Sequence, residues 1–372
     1  MSFHRTHGAR GRWGRWWGSL ALTLLVAPGA IADTLQGTWY AEWDADRDEP
    51  DRLYLELRSG DQSAWRSRSG MMLSVDDLQG LSTGQVEQGA GPLTFQLVRE
   101  PGILSFDGRF HEGIGSGRFT FTLDESFDAA LRQRGLRGIR LHEYQAMALQ
   151  NVTLAWLDEM QQLGFDDLEV DDVLALSIHG ADADFVRELQ ALGFDSRDVD
   201  DWVAMRIHGV DAAYVRDMRA QGVRSDDPED YVGMRIHDVT PAFLDEMRDL
   251  GYDLSFEEGQ SFRIHGVDAA YIDEMSQLLG ARLDAEELLA MRIHGVTRSF
   301  VDEMEALHIR HLDPEQFIAF RIHGVNADFV RELEDLGYED LTAEELVELR
   351  IHGIDSRALS RWNRHRDRSH HD

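Results

Sequence analysis

Cysteine is absent from the 372 residues. Its absence excludes disulfides, thiolate metal sites, cysteine nucleophiles and the cysteine to which a lipoprotein anchor is attached. Basic residues are scarce, 37 Lys and Arg against 69 Asp and Glu, for a formal net charge of -32. An acidic surface repels phosphate backbones, so no nucleic-acid partner is expected. Long apolar runs are missing after the first thirty or so residues, and no later segment is expected to cross a bilayer. Catalytic signatures are equally sparse. His142-Glu143 opens like a zinc-protease helix, but Ala146 stands where the second histidine is required, and no Gly-x-Ser-x-Gly occurs. These absences imply neither an enzyme nor a cofactor. What remains is a chain with 42% hydrophobic residues, ordinary for a globular protein and long enough for two domains.

Residues 1–32 read as a secretory signal. His4, Arg5, His7, Arg10, Arg12 and Arg15 form a basic start, Leu20 to Val26 a short apolar core, and Ala30-Ile31-Ala32 a small-residue cleavage site. The mature chain is then expected to begin near Asp33, periplasmic or secreted, with no transmembrane segment left. An uncleaved anchor is the alternative, although the apolar run is shorter than the roughly 20 residues of a spanning helix.

Residues 33–123 alternate. Trp39, Ala41 and Trp43 share one parity, as do Leu53, Leu55 and Leu57, then Leu93, Phe95 and Leu97, then Phe119, Phe121 and Leu123. A period of two marks strands with one buried face, and Gly, Asp and Pro punctuate them. About six to eight short antiparallel strands follow by that rule, in a sandwich or small barrel. Gly113-Ile114-Gly115-Ser116-Gly117 is read as a turn between strands, because no helix start follows to face a phosphate. The opening Gly37-Thr38-Trp39 resembles that of ligand-carrying lipocalin barrels, which would imply a small-ligand cavity.

Residues 124–362 repeat. Arg-Ile-His-Gly starts at Arg206, Arg263, Arg292, Arg321 and Arg350, with Arg-Ile-His-Asp at Arg235 and Ser-Ile-His-Gly at Ser177. The starts lie 29 residues apart, with one interval of 28, a period that marks stacked repeats. Within a unit, Asp211, Thr240, Asp268, Thr297 and Asn326 are expected as N-caps of a first helix, and Gly337 ends one such helix. Ser255 with Glu258, Asp284 with Glu287 and Thr342 with Glu345 are spaced as capping boxes that open a second helix. Helices of about three turns are unstable alone in water, so the hairpins are expected to stack as an α-solenoid. The expected architecture is therefore α+β, in two domains. The array would comprise a degenerate cap over 124–147, units starting at 148, 177, 206, 235, 263, 292 and 321, and a partial unit over 350–362. A basic, histidine-rich tail, 363–372, would follow.

Three residue types recur in register. Arg206, Arg235, Arg263, Arg292, Arg321 and Arg350 fall inside the apolar arc of the second helix, where a charge needs a partner or a route to solvent. Acidic residues recur beside the apolar stripe of the first helix: Glu159, Glu188, Asp217, Glu246, Glu274, Glu303 and Glu332. The expectation is an arginine–carboxylate ladder; snorkelling of each arginine to solvent is the alternative. His179, His208, His237, His265, His294, His323 and His352 precede a helix-ending residue and are read as caps of free carbonyls. Metal binding is disfavoured there, since packed helices lie about 8–10 Å apart and a zinc–imidazole bond is about 2.0–2.1 Å. His365, His370 and His371 in the tail are the weak metal candidates.

At these Arg-Ile-His-Gly-Val repeats the chain resembles a little-characterised bacterial exported repeat. That repeat also stands beside membrane metallopeptidases of the β-lactam-sensor, antirepressor type. The resemblance implies a sensing or protein-interaction module outside the cytoplasm, with an unknown protein partner; the peptidase part has no counterpart here. The alternative is a periplasmic binder of a small ligand or metal, acting through the β-rich domain or the repeated histidines.

Overall fold

The computed structural model describes residues 34–43, 51–59, 67–307, 309, 312–338 and 340–354. The signal segment over 1–32, the expected mature start at Asp33 and the end of the partial unit lie outside these residues. So does the tail with His365, His370 and His371. Two compact units divide between Ala183 and Asp184.

The first unit is built on one seven-stranded sheet. Its strands are β1 (Thr34–Trp43), β2 (Arg52–Ser59), β3 (Ser67–Ser74), β4 (Leu78–Gln79), β5 (Ala90–Arg99), β6 (Gly102–His111) and β7 (Ile114–Leu123). Their spatial order is β3-β2-β1-β7-β6-β5-β4, antiparallel throughout. Of the expected sandwich or small barrel, one sheet is found, a seven-stranded half-barrel with β3 and β4 as its edges. The alternation has its expected cause: Trp39, Ala41, Leu53, Leu55, Leu57, Phe95, Leu97, Phe119 and Phe121 are all buried.

Rings fill the centre of that buried face. Trp39 meets Phe95 edge-on at 5.3 Å and Phe110 at 5.5 Å, while Phe95 stacks on Phe106 at 4.6 Å. The indole Nε1 donates to the Asp107 carbonyl at 3.1 Å. Gly108 and Gly117 make this slot: a Cβ on Gly108 would stand 2.5 Å from the indole, and one on Gly117 2.7 Å from its nitrogen. The glycines of the 113–117 run thus serve a turn before β7 and a close approach within it. No phosphate loop is formed. Aromatic packing occupies the centre of the buried face of this sheet.

Four helices complete the unit after the short α1 (Thr83–Gln88): α2 (Glu125–Gln133), α3 (Leu141–Leu149), α4 (Leu154–Gln162) and α5 (Val170–His179). Helix α3 packs on β1, β6 and β7, and Phe127, Leu131, Tyr144, Met147 and Leu157 join the sheet's own core. The Glu100 carboxylate accepts from the Leu154 amide at 2.8 Å, so a strand turn caps α4. The residues expected to start the repeat array therefore belong to the sheet's compact unit, which ends at Ala183.

The second unit is helical: α6 (Ala183–Gln190), α7 (Val199–Ile207), α8 (Ala212–Ala220), α9 (Pro228–Ile236), α10 (Pro241–Asp249), α11 (Phe256–His265), α12 (Ala269–Leu279), α13 (Ala285–Ile293), α14 (Arg298–Glu305), α15 (Pro314–His323), α16 (Ala327–Asp335) and α17 (Ala343–Ile351). The even-numbered helices are first helices of the repeat and the odd-numbered are second helices. Asp211, Thr240, Asp268, Thr297 and Asn326 each accept the amide of the third helical residue, as N-caps do. The boxes at Ser255, Asp284 and Thr342 are closed in both directions, and Asp313 with Gln316 adds another. The 28-residue interval loses its residue between Gly251 and the N-cap Ser255, four residues apart where Gly222 and the N-cap Asp227 are five. Second helices contact in sequence, α7 with α9, then α11, α13, α15 and α17. Met205, Met218, Met234, Met247, Met275, Met291 and Met304 lie fully inside.

Candidate functional site

Each second helix ends in the same way. The valine after the motif glycine, or after Asp238, turns back, and its amide donates 2.8 Å to a buried residue's carbonyl: Val210 to Met205, Val239 to Met234, Val267 to Phe262, Val296 to Met291 and Val325 to Phe320. The glycine takes the left-handed conformation this requires, as at Gly295 (φ 71°). Asp238 adopts it without a glycine (φ 56°), and its carboxylate is then held by Arg263.

The repeated arginines complete the ends. Arg235 donates from Nε to the Gly209 carbonyl at 3.0 Å, Arg263 to Asp238 at 2.9 Å, Arg292 to His265 at 3.2 Å, Arg321 to His294 at 3.1 Å and Arg350 to Gly324 at 2.8 Å. Every acceptor belongs to the preceding unit. The same guanidinium covers a ring near the start of that unit's first helix: Arg206 over Phe185 at 5.1 Å, Arg235 over Tyr214 at 3.9 Å, Arg263 over Phe243 at 4.9 Å, Arg292 over Tyr271 at 4.7 Å, Arg321 over Phe300 at 4.9 Å and Arg350 over Phe329 at 4.2 Å. Where the ring is tyrosine its hydroxyl donates onward, Tyr214 to Val239 at 3.0 Å and Tyr271 to Val296 at 3.2 Å. Burial pushes both phenols up to about 12.

This geometry corrects the arginine–carboxylate ladder. The arginines form a ladder, but its rungs are carbonyls and aromatic faces, with a carboxylate added, among the described residues, only where Arg263 also holds Asp238. Glu188, Asp217, Glu246 and Glu303 are exposed, and Glu274 is held at 2.9 Å by Arg298 of the next first helix. The physical reason is the arginine's place in the last helical turn, where the neighbouring helix end offers carbonyls that need donors and where the wide guanidinium face can stack. A second set of arginines, not periodic enough to stand out in the sequence, serves the first helices. Arg219 donates to the Leu192 carbonyl at 2.6 Å and Arg248 to Gln221 at 2.6 Å, and Arg282 lies over Tyr252 while bonding Gly251.

The histidines are corrected as well. His265 and His294 have their carbonyls taken by the next arginine, and the main chain and the arginines do the capping assigned to the imidazoles. The rings of His179, His265, His294, His323 and His352 are exposed, those of His208 and His237 half-buried. No group of three or more His, Asp or Glu among the described residues could hold a metal ion. His142-Glu143 has a local role, since Glu143 accepts from the Arg140 amide at 2.6 Å and closes a capping box.

The isoleucine of the motif lies outside. Ile207, Ile236, Ile264, Ile293, Ile322 and Ile351 are between 41% and 57% exposed. In α15 the fully buried residues are Phe317 and Phe320; at about 100° per residue Ile322 falls nearly opposite the middle of that pair. Four residues earlier on the same face stand Val203, Val232, Gln260, Leu289, Ile318 and Val347, all half-buried. Seven residues earlier stand Asp200, Glu229, Glu257, Glu286, Glu315 and Glu344, all exposed. Spacings of three, four and seven share one helix face. That face thus runs from an acidic rail, over a middle that is aliphatic except at Gln260, to a row of isoleucines. No family model, curated protein or solved structure matches the chain.

Proposed function

We propose that this protein is an exported, non-enzymatic interaction module whose helical unit is an α-solenoid that presents the isoleucine-bearing face to a partner protein. The row of exposed isoleucines carries the reading. Solitary exposed aliphatics are common, but six in register on successive contacting helices amount to an apolar patch on the order of several hundred Å², of the kind that marks an interaction site. The nearest-neighbour contacts of the second helices and the repeated arginine rung support stacking of identical units. Export rests on the basic, apolar and small-residue pattern of residues 1–32 and on the resemblance of the repeat to exported ones. No helix among the described residues is long and apolar enough to cross a membrane. The small-ligand alternative has weaker support, because rings occupy the sheet's buried face.

The test is capture from the cell-envelope fraction with the tagged full chain and with the triple variant Ile264→Ser, Ile293→Ser, Ile322→Ser. A protein retained by the first and lost by the second is the expected result. Capture indifferent to the isoleucines, or a small ligand recovered from the sheet unit, would overturn the reading.

A further inference from the structure

We infer that the partner docks as a single amphipathic α-helix, basic along one side and aliphatic along the other, laid across the ends of successive second helices. The inference rests on the interaction reading above and assigns the chemistry of its partner.

Three observations lead to this occupant. The first is charge. Asp200, Glu229, Glu257, Glu286, Glu315 and Glu344 are exposed and form one edge of the face, on a chain of net charge -32. The arginines at the opposite end of these helices already bond carbonyls and cover rings, so the face as a whole favours a cation. A second copy would bring its own acidic rail against this one, and like charges across an interface are costly. An anionic membrane surface meets the same repulsion.

The second is relief. Between the rail and the isoleucines lie half-buried side chains flanked, in five of the six units, by small residues, Ala204, Gly233, Ser261, Ala290 and Ala319, each three positions before an exposed isoleucine; the sixth, α17, has Glu348 there. Over α13 and α15, where Leu289, Ala290, Ile318 and Ala319 line it, the strip is therefore apolar and low, with the isoleucines as its raised border. An aliphatic ridge can enter it there, while Gln260 interrupts it on α11.

The third is spacing. Packed neighbouring helices lie about 8–10 Å apart, whereas seven residues of α-helix rise about 10.5 Å. A partner helix running along the row thus offers one same-face residue to each unit at heptad intervals. This is helix-in-groove recognition with anchors at i, i+3, i+4 and i+7. Its basic side would lie over the rail and its aliphatic side against the isoleucines.

The probe is a fluorescein-labelled synthetic helix of eighteen residues, about 27 Å long and so spanning three units, with lysine on one side and leucine on the other. A control peptide keeps every lysine and replaces leucine by serine. Anisotropy titrations of the full chain should show the leucine–lysine helix binding about tenfold or more tightly than the control. The triple variant Ile264→Ser, Ile293→Ser, Ile322→Ser should lose that preference. The triple variant Glu257→Gln, Glu286→Gln, Glu315→Gln should weaken binding and flatten its salt dependence; it leaves the capping-box residues Glu258, Glu287 and Gln316 intact. Circular dichroism confirms that each variant is folded before titration. Equal affinity for the two peptides, or binding unchanged in either folded variant, would overturn the basic-helix occupant. So would a dimer in sedimentation that the isoleucine variant dissolves, which would make the occupant a second copy. Capture from the envelope separates the two levels. If it still depends on the isoleucines while the peptide fails to bind, only the partner's chemistry is wrong; if it ignores them, the interaction reading falls as well.

Discussion

The two compact units bury their polar ends and rings over very different sequence distances. In the sheet unit, Trp39 bonds the carbonyl of Asp107, 68 positions away, and lies in a slot made by Gly108 and Gly117. In the helical unit, Arg292 reaches His265, 27 positions away, and Arg321 reaches His294 over the same interval. The first unit concentrates its packing in one aromatic cluster that every strand must position together. The second repeats a small contact from neighbour to neighbour, so no single rung carries much. Stability should accordingly be lost all at once in the first unit and in small steps in the second.

The largest expected effect is in the sheet. Trp39→Ala removes a ring 2% exposed and leaves Phe95, Phe106 and Phe110 around a void. The cost should be about 3–5 kcal/mol, read as loss of the sheet unit's unfolding transition in calorimetry while helical signal persists. A loss below about 1 kcal/mol would mean that the cluster collapses onto the gap and that packing is not concentrated there.

Next in size is an alkaline effect in the helical unit. Tyr214 and Tyr271 hold their protons up to about 12 because they are buried, against 10.0 for a free phenol. Between these values the unfolded chain has lost the proton that the folded one keeps. The unfolded state binds fewer protons there, so stability falls as pH rises through that window and is fully present below it. Urea midpoints at neutral pH and near pH 11 should diverge in the native protein. The divergence should shrink in Tyr214→Phe, Tyr271→Phe, where the ring under each arginine is kept. An unchanged divergence would assign the alkaline loss to other groups.

Smaller still is a single rung. Arg292 is exposed at the surface, so its stacking over Tyr271 and its bond to His265 should together be worth about 1 kcal/mol. Arg292→Ala should shift the urea midpoint by that amount with the slope unchanged. Lysine should restore little, lacking the planar fork. A double-mutant cycle of Arg292→Ala with Glu303→Gln separates this account from a carboxylate ladder. Coupling within about 0.3–0.5 kcal/mol of zero is expected for groups that share no contact, and a larger value would reinstate the ladder.

The repeat itself was legible in detail. Period, N-caps and capping boxes could all be read from 29-residue segments, because the caps depend on residues within one turn of one another and the period on the recurrence of one short motif. The strands of the sheet were legible from alternation. Their order was not, because the pairing of β1 with β7 joins segments about eighty residues apart and alternation carries no address. The glycines of the 113–117 run were recognised as a turn, but the need for Gly108 and Gly117 beside an indole depends on that same distant pairing. Arg292 was recognised as a residue needing a partner and assigned the wrong one, since a sequence displays carboxylates and hides main-chain carbonyls. The outward place of Ile322 is not announced by its type, since it is aliphatic like the residues of the core. The buried pair Phe317 and Phe320 sets the arc, and Ile322 lies opposite it.

The smallest effect expected is at the most conspicuous residue. A histidine in every unit suggests a shared task, yet the geometry gives the imidazoles none in folding. The carbonyls beside them are bonded by arginine and by the returning valine amide, and the rings of His265, His294 and His323 face solvent. The variant His265→Asn, His294→Asn, His323→Asn should therefore keep its unfolding midpoint, with each substitution within about ±0.5 kcal/mol as at other exposed positions. A zinc titration by calorimetry should give the same weak heat for this variant as for the native chain. Rings carried on helices about 8–10 Å apart do not converge on one ion bound at about 2.0–2.1 Å. Strong stoichiometric uptake by the native chain, lost in the variant, would show that the row gathers around metal and that the helical unit is a metal sensor. Stability lost well beyond the expected range without any zinc effect would instead return the imidazoles to the helix ends as caps, and the rung would then be a contact of three side chains rather than two.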